Sequence, residues 1–441
     1  MREHPIDLSA RMIESGVVDT PPNRVDQVLS ELGDRVAFVE SFSHVLLIDS
    51  GDGLVAFDAS GPRSGREVVE SIRRWSTDRV HTIVYTHGHL DHVGGSPAFA
   101  ADAAERGVAS PRVIGNQRVV DRFERYAQTS GYNQIINLRQ FGGAAKVLAA
   151  AFDAPFLPAA TLRPDVVYEG RLADRVGDVE LDLHSCMGET DDHTWTWIPG
   201  HRIISAGDQF IWNFPNCGNP QKVQRYPAEW ARSLRDMAAM DAELFVPAHG
   251  LPIAGVDRIR TCLETVAVTL ETLLGEVIAA MNAGATLDEI LHSVSVPDAT
   301  LAIPYLRPMY DEPEFVIRNI WRLYGGWWDG NPARLKPASD ATIGAEVVGL
   351  VGSIDRLLSR ALDLSEADDH RLACQLIEFA AAAEPESPAV HEARTAIYTA
   401  RRSAETSLMA KGIYQSAVAD SQTVLTGAPP PLNLVLTIGE S

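Results

Sequence analysis

Residues 86–95 read THGHLDHVGG, directly after the apolar run HTIVY at 81–85. HTIVY has the length and β-branched content of a short buried strand, so the polar decapeptide is a loop leaving a strand end. It places His87, His89, Asp91 and His92 within six residues. Imidazole and carboxylate are the ligands that Zn²⁺ takes when a water must stay bound. Side chains on a loop leaving a strand point several ways. His87 and His89 can therefore serve one metal while Asp91 and His92 serve a neighbouring one. Gly94-Gly95 allows a tight start to the following helix. A polar loop with chance histidines is the competing reading, and such a density of ligand types weighs against it.

The surrounding chain supplies layers for this loop. VAFVESFSHVLLIDSGDGLVAFDAS (36–60) reads as a β-hairpin, with Gly51-Asp52-Gly53 as a turn. In GREVVESIRRWS (65–76), Val68, Val69, Ile72 and Trp75 recur at helical spacing. Strand, helix, strand and polar loop in that order indicate an α/β layered domain. Residues 117–165 are more helical and less regular, as an insertion over a site would be. VVYEG, VELDLHS, HTWTWIP and RIISAGD then alternate as strands of a second sheet, and ELFVPAHG (243–250) is a further strand running into a loop. From about residue 256 the pattern is helical almost throughout. The expected division is a catalytic α/β domain over 1–255, a helical and aromatic segment over 256–337, an all-α region of four or so helices over 338–422, and a loose tail over 423–441.

The 441 residues carry a formal charge of −21, with 45% hydrophobic and 22% charged residues. This excludes wholesale disorder, collagen and a disulfide mini-protein. The acidic balance argues against nucleic acid as a partner. Cys186, Cys217, Cys262 and Cys374 lie far apart and form no CxxC pair, so reduced thiols are expected. The start, MREHPIDLSARMIESG, lacks the apolar core of a signal peptide, and no run of 18 apolar residues exists to span a membrane. A cytoplasmic location is expected.

HxHxDH after a strand resembles the metallo-β-lactamase superfamily, whose fold is an αββα sandwich holding one or two metals. In such proteins later turns supply the remaining ligands, and this chain carries MGETDDHTW (187–195), SAGDQF (205–210) and VPAHGLP (246–252) in the matching order. Glu189 stands where most of the superfamily has His, a replacement that resembles the alkylsulfatase branch. DEPEFVIRNIWRLYGGWWDGNP (311–332) independently resembles the alkylsulfatase dimerisation segment. The fold class implied is α/β, an αββα sandwich followed by an all-α dimerisation region. The stretch IWNFPNCGNPQKVQRYPAEW (211–230) departs from the branch's Asn/Arg-rich sulfate-binding segment.

The resemblance assigns His87, His89 and Glu189 to one metal and Asp91, His92 and His249 to a second, with Asp208 bridging; Asp91 and Asp208 are the catalytic carboxylates. Two divalent ions are implied, zinc first, with manganese or iron as alternatives for so carboxylate-rich a set. Metal coordination lowers the pKa of water from about 16 to near 7, so a bridging hydroxide is the expected nucleophile. His193, Lys222, Arg225 and Trp212 are candidates to contact substrate. Arg318 and Arg322 are further cationic candidates, each more often a surface or structural pair, and His44, after the first strand, is a candidate to line the mouth. Trp195, Trp197, Phe210, Trp212 and Phe214 are candidate channel walls, though strand alternation must place some of them in the core, while Trp321, Trp327 and Trp328 are expected as buried packing. The expected function is hydrolysis of a small-molecule sulfate ester by a homodimer. A carboxylic ester, lactone, thioester or β-lactam on the same site is the alternative, and an inactive helical scaffold is a third reading.

Overall fold

The computed structural model describes residues 2–145 and 154–430. Two sheets form the framework, each with its strands in chain order. The first contains β1 (Val28–Gly33), β2 (Val36–Glu40), β3 (Val45–Asp49), β4 (Leu54–Phe57), β5 (Val80–Val84), β6 (Arg112–Asn116) and β7 (Val166–Tyr168). The second contains β8 (Arg171–Val176), β9 (Val179–Cys186), β10 (His193–Ile198), β11 (Ile203–Gly207), β12 (Leu244–Pro247) and β13 (Ile253–Ala254). Residues 36–60 thus make three antiparallel strands, one more than a hairpin, because both apolar runs and LVAF pair in sequence. From β4 onward the first sheet is parallel, with helices as crossovers.

Side-chain alternation decides the layers. Phe38, Leu46, Ile48 and Val55 enter a core with Leu181, Leu183, Ile203, Leu244 and Val246 of the second sheet. Their neighbours Val39, Leu47 and Ala56 point the other way, onto Val68, Ile72, Phe99 and Phe123. Those four belong to helices Gly65–Trp75, Ser96–Glu105 and Gln117–Gln128. On the outer face of the second sheet, Trp195, Ile204 and Phe245 meet Trp230, Leu263, Leu270 and Ile317. These lie on helices Pro227–Ala238, Val256–Asn282 and Pro313–Gly325. A period of two on strands and an apolar stripe on helices produce the αββα order.

The chain forms two compact units, residues 1–128 with 157–327, and residues 129–156 with 328 onward. The boundary expected near 255 does not separate them. Helix Val256–Asn282 buries Ile259, Leu263, Val266, Leu270 and Leu273 in the core that holds Trp195 and Phe245. An apolar outer sheet face must be covered, and this helix covers it. The second unit contains helices Asp340–Val351, Ile354–Glu366, His370–Ala383, Pro388–Ser403 and Leu408–Thr426 around Leu357, Ile377, Ile397 and Val418. Of the expected insertion, Gln117–Gln128 is a layer helix of the first unit, whereas Ser130–Gln140 packs on Leu408–Thr426 in the second. The expected tail begins inside a helix that runs to Thr426, and from 431 it lies outside the described residues. Trp327 and Trp328 are 71% and 38% exposed, against the expectation of burial. No helix among the described residues is long and apolar enough to cross a membrane.

Candidate metal centre

Four loops at one end of the two sheets bring the chemistry together. His87 and His89 follow β5, and Asp91 and His92 lie on the short helix Leu90–Val93. Glu189 is in the β9–β10 loop, Asp208 directly follows β11, and His249 follows β12. One donor atom each from His87, His89, Glu189 and Asp208 lie within 4.8 Å of one another, and so do those of Asp91, His92 and His249. Asp208 Oδ2 is 3.9 Å from His87 Nε2, 3.4 Å from His92 Nε2 and 3.6 Å from His249 Nε2. Its carboxylate therefore faces both groups. All seven residues named as ligands converge.

The local backbone explains why Asp208 is aimed inward. Gly207 has φ +54°, and a Cβ there would come within 2.6 Å of the His193 ring and 2.7 Å of Thr86. Only glycine fits both the conformation and the space. His193 Nε2 then accepts the Asp208 N–H at 3.0 Å. Asp58, at the end of β4, holds a left-handed φ of 62°, which a non-glycine residue adopts at a cost. Its carboxylate lies 2.7 Å from His92 Nδ1 and accepts from the Thr86 N–H at 2.7 Å and hydroxyl at 2.8 Å. His92 thus presents Nε2 to the cluster, the arrangement by which outer carboxylates orient metal-binding imidazoles. Gly88, between His87 and His89, donates its N–H to Asp192 at 2.9 Å, and Arg122 pairs with Asp192 at 2.7 Å.

The donor set fits divalent cations. His92 Nε2, Glu189 Oε2 and Asp208 Oδ1 are buried without a hydrogen-bond partner, which a folded protein rarely tolerates. Burial, opposed by Arg225 and reinforced by the Asp208 carboxylate, pushes Glu189 up to about 8. Burial holds His87 and His89 well below the usual imidazole range, so both are neutral and able to ligate. Three carboxylates among four imidazoles, with orphaned atoms turned inward, are balanced by positive charge placed between them.

The substrate candidates fare differently. Trp212 is a correction: it is 1% exposed and donates Nε1–H to Leu251 O at 2.7 Å, packed beneath Gly250 in the core. Trp195, Phe210 and Phe214 are core residues too, because their strand and loop turn toward the outer helices. His193 is fully buried and serves the Asp208 backbone, so it cannot reach a substrate. His44 is also buried, not at a mouth; its Nδ1 accepts the Ser41 N–H at 3.0 Å and its Nε2 lies 3.1 Å from Gly250 N, so the ring packs against the His249 turn. Arg225 is 2% exposed and lies 2.6 Å from Glu189 Oε1. Arg318 pairs with Glu314, and Arg322 donates to Gln224, both at the surface. Lys222 is half-buried, and burial with Arg225 beside it lowers its ammonium to about 8. Asp58, Arg122, Asp192 and Asn216 were not singled out by motif. Only Asp58 had a signal, as the acid closing the strand LVAFD.

Comparison with known proteins agrees with this geometry. The metallo-beta-lactamase superfamily matches residues 39–249, and the alkyl sulfatase dimerisation family matches residues 286–423. A linear primary-alkylsulfatase of Pseudomonas sp. (strain ATCC 19151) is 24% identical over 76% of this chain and 65% of its own length. An (R)-specific secondary-alkylsulfatase of Pseudomonas sp. is 24% identical over 78% of this chain and 54% of its own. The chain thus spans less than two thirds of either relative. The solved structure of a stereoselective inverting sec-alkylsulfatase from Pseudomonas sp. superposes with a TM-score of 0.78 at 21% identity, covering 91% of this chain and 66% of the other. At that identity the superposition speaks for the fold. With both family matches in chain order, this protein is an alkylsulfatase-like member of the metallo-β-lactamase superfamily.

Proposed function

We propose that the chain is a dinuclear metal-dependent hydrolase of sulfate esters. The observation that carries the reading is Asp208, whose one carboxylate faces two separate donor groups. His87, His89 and Glu189 would hold one cation, Asp91, His92 and His249 the other, with Asp208 shared. When bound, such a pair supplies a water of lowered pKa and Lewis-acid polarisation of an ester oxygen. Zinc suits the four imidazoles, and the three carboxylates leave manganese or iron competitive.

The chain's own residues shape what enters. Asp91 and His89 are the more open members, with side chains 31% and 17% exposed, so substrate approaches on their side. Arg122, Arg225 and Lys222 all bear electrostatically on His89. Lys222 is the cation assigned here to an anionic ester head. The relatives named as alkylsulfatases support a sulfate.

Metal quantification followed by an ester screen tests this. Turnover of an alkyl sulfate by the metal-loaded protein is expected, and ¹⁸O-water then shows whether the label enters the alcohol, meaning C–O cleavage, or the sulfate. Absence of sulfate turnover, with activity on carboxylic esters, thioesters, lactones or β-lactams, would replace it by the alternative. The divergence of residues 211–230 and the burial of Arg225 are what favour that second reading. A homodimer is proposed from the dimerisation match over 286–423, with sedimentation near twice 47.9 kDa as its check. Four free cysteines suit a reducing cytoplasm.

A further inference from the structure

Glu189 poses a chemical question, because a carboxylate brings two oxygens to a place where one donor atom is needed. Its Oε1 is engaged: Arg225 Nη1 lies at 2.6 Å and Asn216 Nδ2 donates at 2.5 Å. Its Oε2 is buried and meets no hydrogen-bond partner. Arg225 is itself held. Its Nη1 donates to Asn216 O at 2.6 Å, its N–H donates to Asn319 Oδ1 at 3.3 Å, and its carbonyl accepts from Asn319 Nδ2 at 3.0 Å. Asn319 is 6% exposed on helix Pro313–Gly325, which caps the outer core of the same unit. A continuous chain of contacts therefore runs from that helix through Arg225 to Glu189.

We propose that Arg225 and Asn216 are positioning residues for Glu189. They fork onto Oε1 so that Glu189 offers Oε2 alone to the first cation, and Asn319 fixes the loop that carries them. The physical need is specific to a glutamate. It is longer and more flexible than histidine, and it sits beside the second buried carboxylate of Asp208. Without a fixed donor pair, it would swing toward bidentate binding or away from its neighbour. Arg225 also offsets part of the like-charge repulsion. The 211–230 stretch, which departs from the family's sulfate-binding pattern, thereby gains a task on the protein side of the metal. The inference rests on the metal-binding reading above.

The test compares wild type with Arg225→Met, Arg225→Lys, Asn216→Ala and Asn319→Ala. Metal affinity is measured by competition with a chromophoric chelator and by the visible spectrum of the Co²⁺ form, with circular dichroism melts to confirm folding. Wild type should bind two ions per chain. The Arg225 and Asn216 variants should lose about 10- to 100-fold affinity at one site and keep the other, the range seen for outer partners of ligands. In a Glu189→His background, Arg225→Met should cost less than about threefold, because no Oε1 remains to hold. Unchanged metal affinity with a raised KM for an alkyl sulfate would overturn the proposal and make Arg225 a substrate contact. An equal loss in the Glu189→His background would overturn it in favour of a general structural role. A wild type that binds no metal sinks the metal reading and this proposal together, whereas a two-metal wild type with indifferent variants sinks only the latter. Should Arg225→Met not fold, Asn216→Ala decides, since it removes one donor and leaves the charge in place.

Discussion

Asp58 shows what one residue can govern from outside the donor set. It touches no second donor group, yet it accepts from the Thr86 N–H and hydroxyl and orients His92. Asp58→Asn keeps the shape and removes the charge. It is expected to weaken metal binding about 10- to 100-fold, with activity regained as metal is raised. Activity that stays low at saturating metal would mean that Asp58 acts elsewhere. Gly207 governs through space instead. With φ +54° and a would-be Cβ 2.6 Å from His193, Gly207→Ala should destabilise the protein by about 1–3 kcal/mol and displace Asp208. A thermal melt and metal content together report both effects; a variant with unchanged Tm and full metal would contradict the steric argument.

At the scale of elements, the loop after β11 and helix Pro313–Gly325 are joined by Asp311. Its carboxylate accepts from the Gly218 N–H at 2.6 Å and the Glu312 N–H at 2.8 Å, yet burial raises it to about 7. A carboxyl that stays protonated in the fold, but ionises near 4 when unfolded, stabilises at low pH. That contribution is lost as pH rises from about 4 to 7. Asp311→Asn cannot ionise. Wild type should therefore lose stability relative to this variant between pH 4 and 7, with the difference level above. Urea midpoints across that range measure it. A wild type that instead gains on the variant would show an ionised carboxylate held by its two N–H donors.

At the scale of the molecule, the outer face of the second sheet is closed by residues beyond 255. Leu263, Leu270 and Ile317 share a core with Trp195, Trp230 and Phe245. A fragment of residues 1–255 should expose that face and fail to fold or stay soluble, whereas 1–327 keeps the core intact. Each lost contact of this kind is worth about 2–5 kcal/mol, against a total stability of about 5–15 kcal/mol. Cooperative melting of the shorter fragment would refute the shared core. Within a chain of charge −21, three cations, Lys222, Arg122 and Arg225, bear on His89 beside the carboxylates of Glu189 and Asp91.

The layered fold was legible in the sequence because strand alternation and helical stripes are local periodicities. HxHxDH was legible because its members share one loop, and the turns at Glu189, Asp208 and His249 followed by family pattern. Tertiary structure alone decided what each cation serves. Arg225 meets Glu189 across 36 residues, and Arg122 meets Asp192 across 70. Trp212 went to the core and His193 to the Asp208 backbone for the same reason. Such pairings arise only when packed layers bring distant loops to one place, and burial then forces every charged or polar group to find a partner. Sequence spacing carries no record of that search, so the candidate donor residues could be read from the chain and their supporting contacts could not.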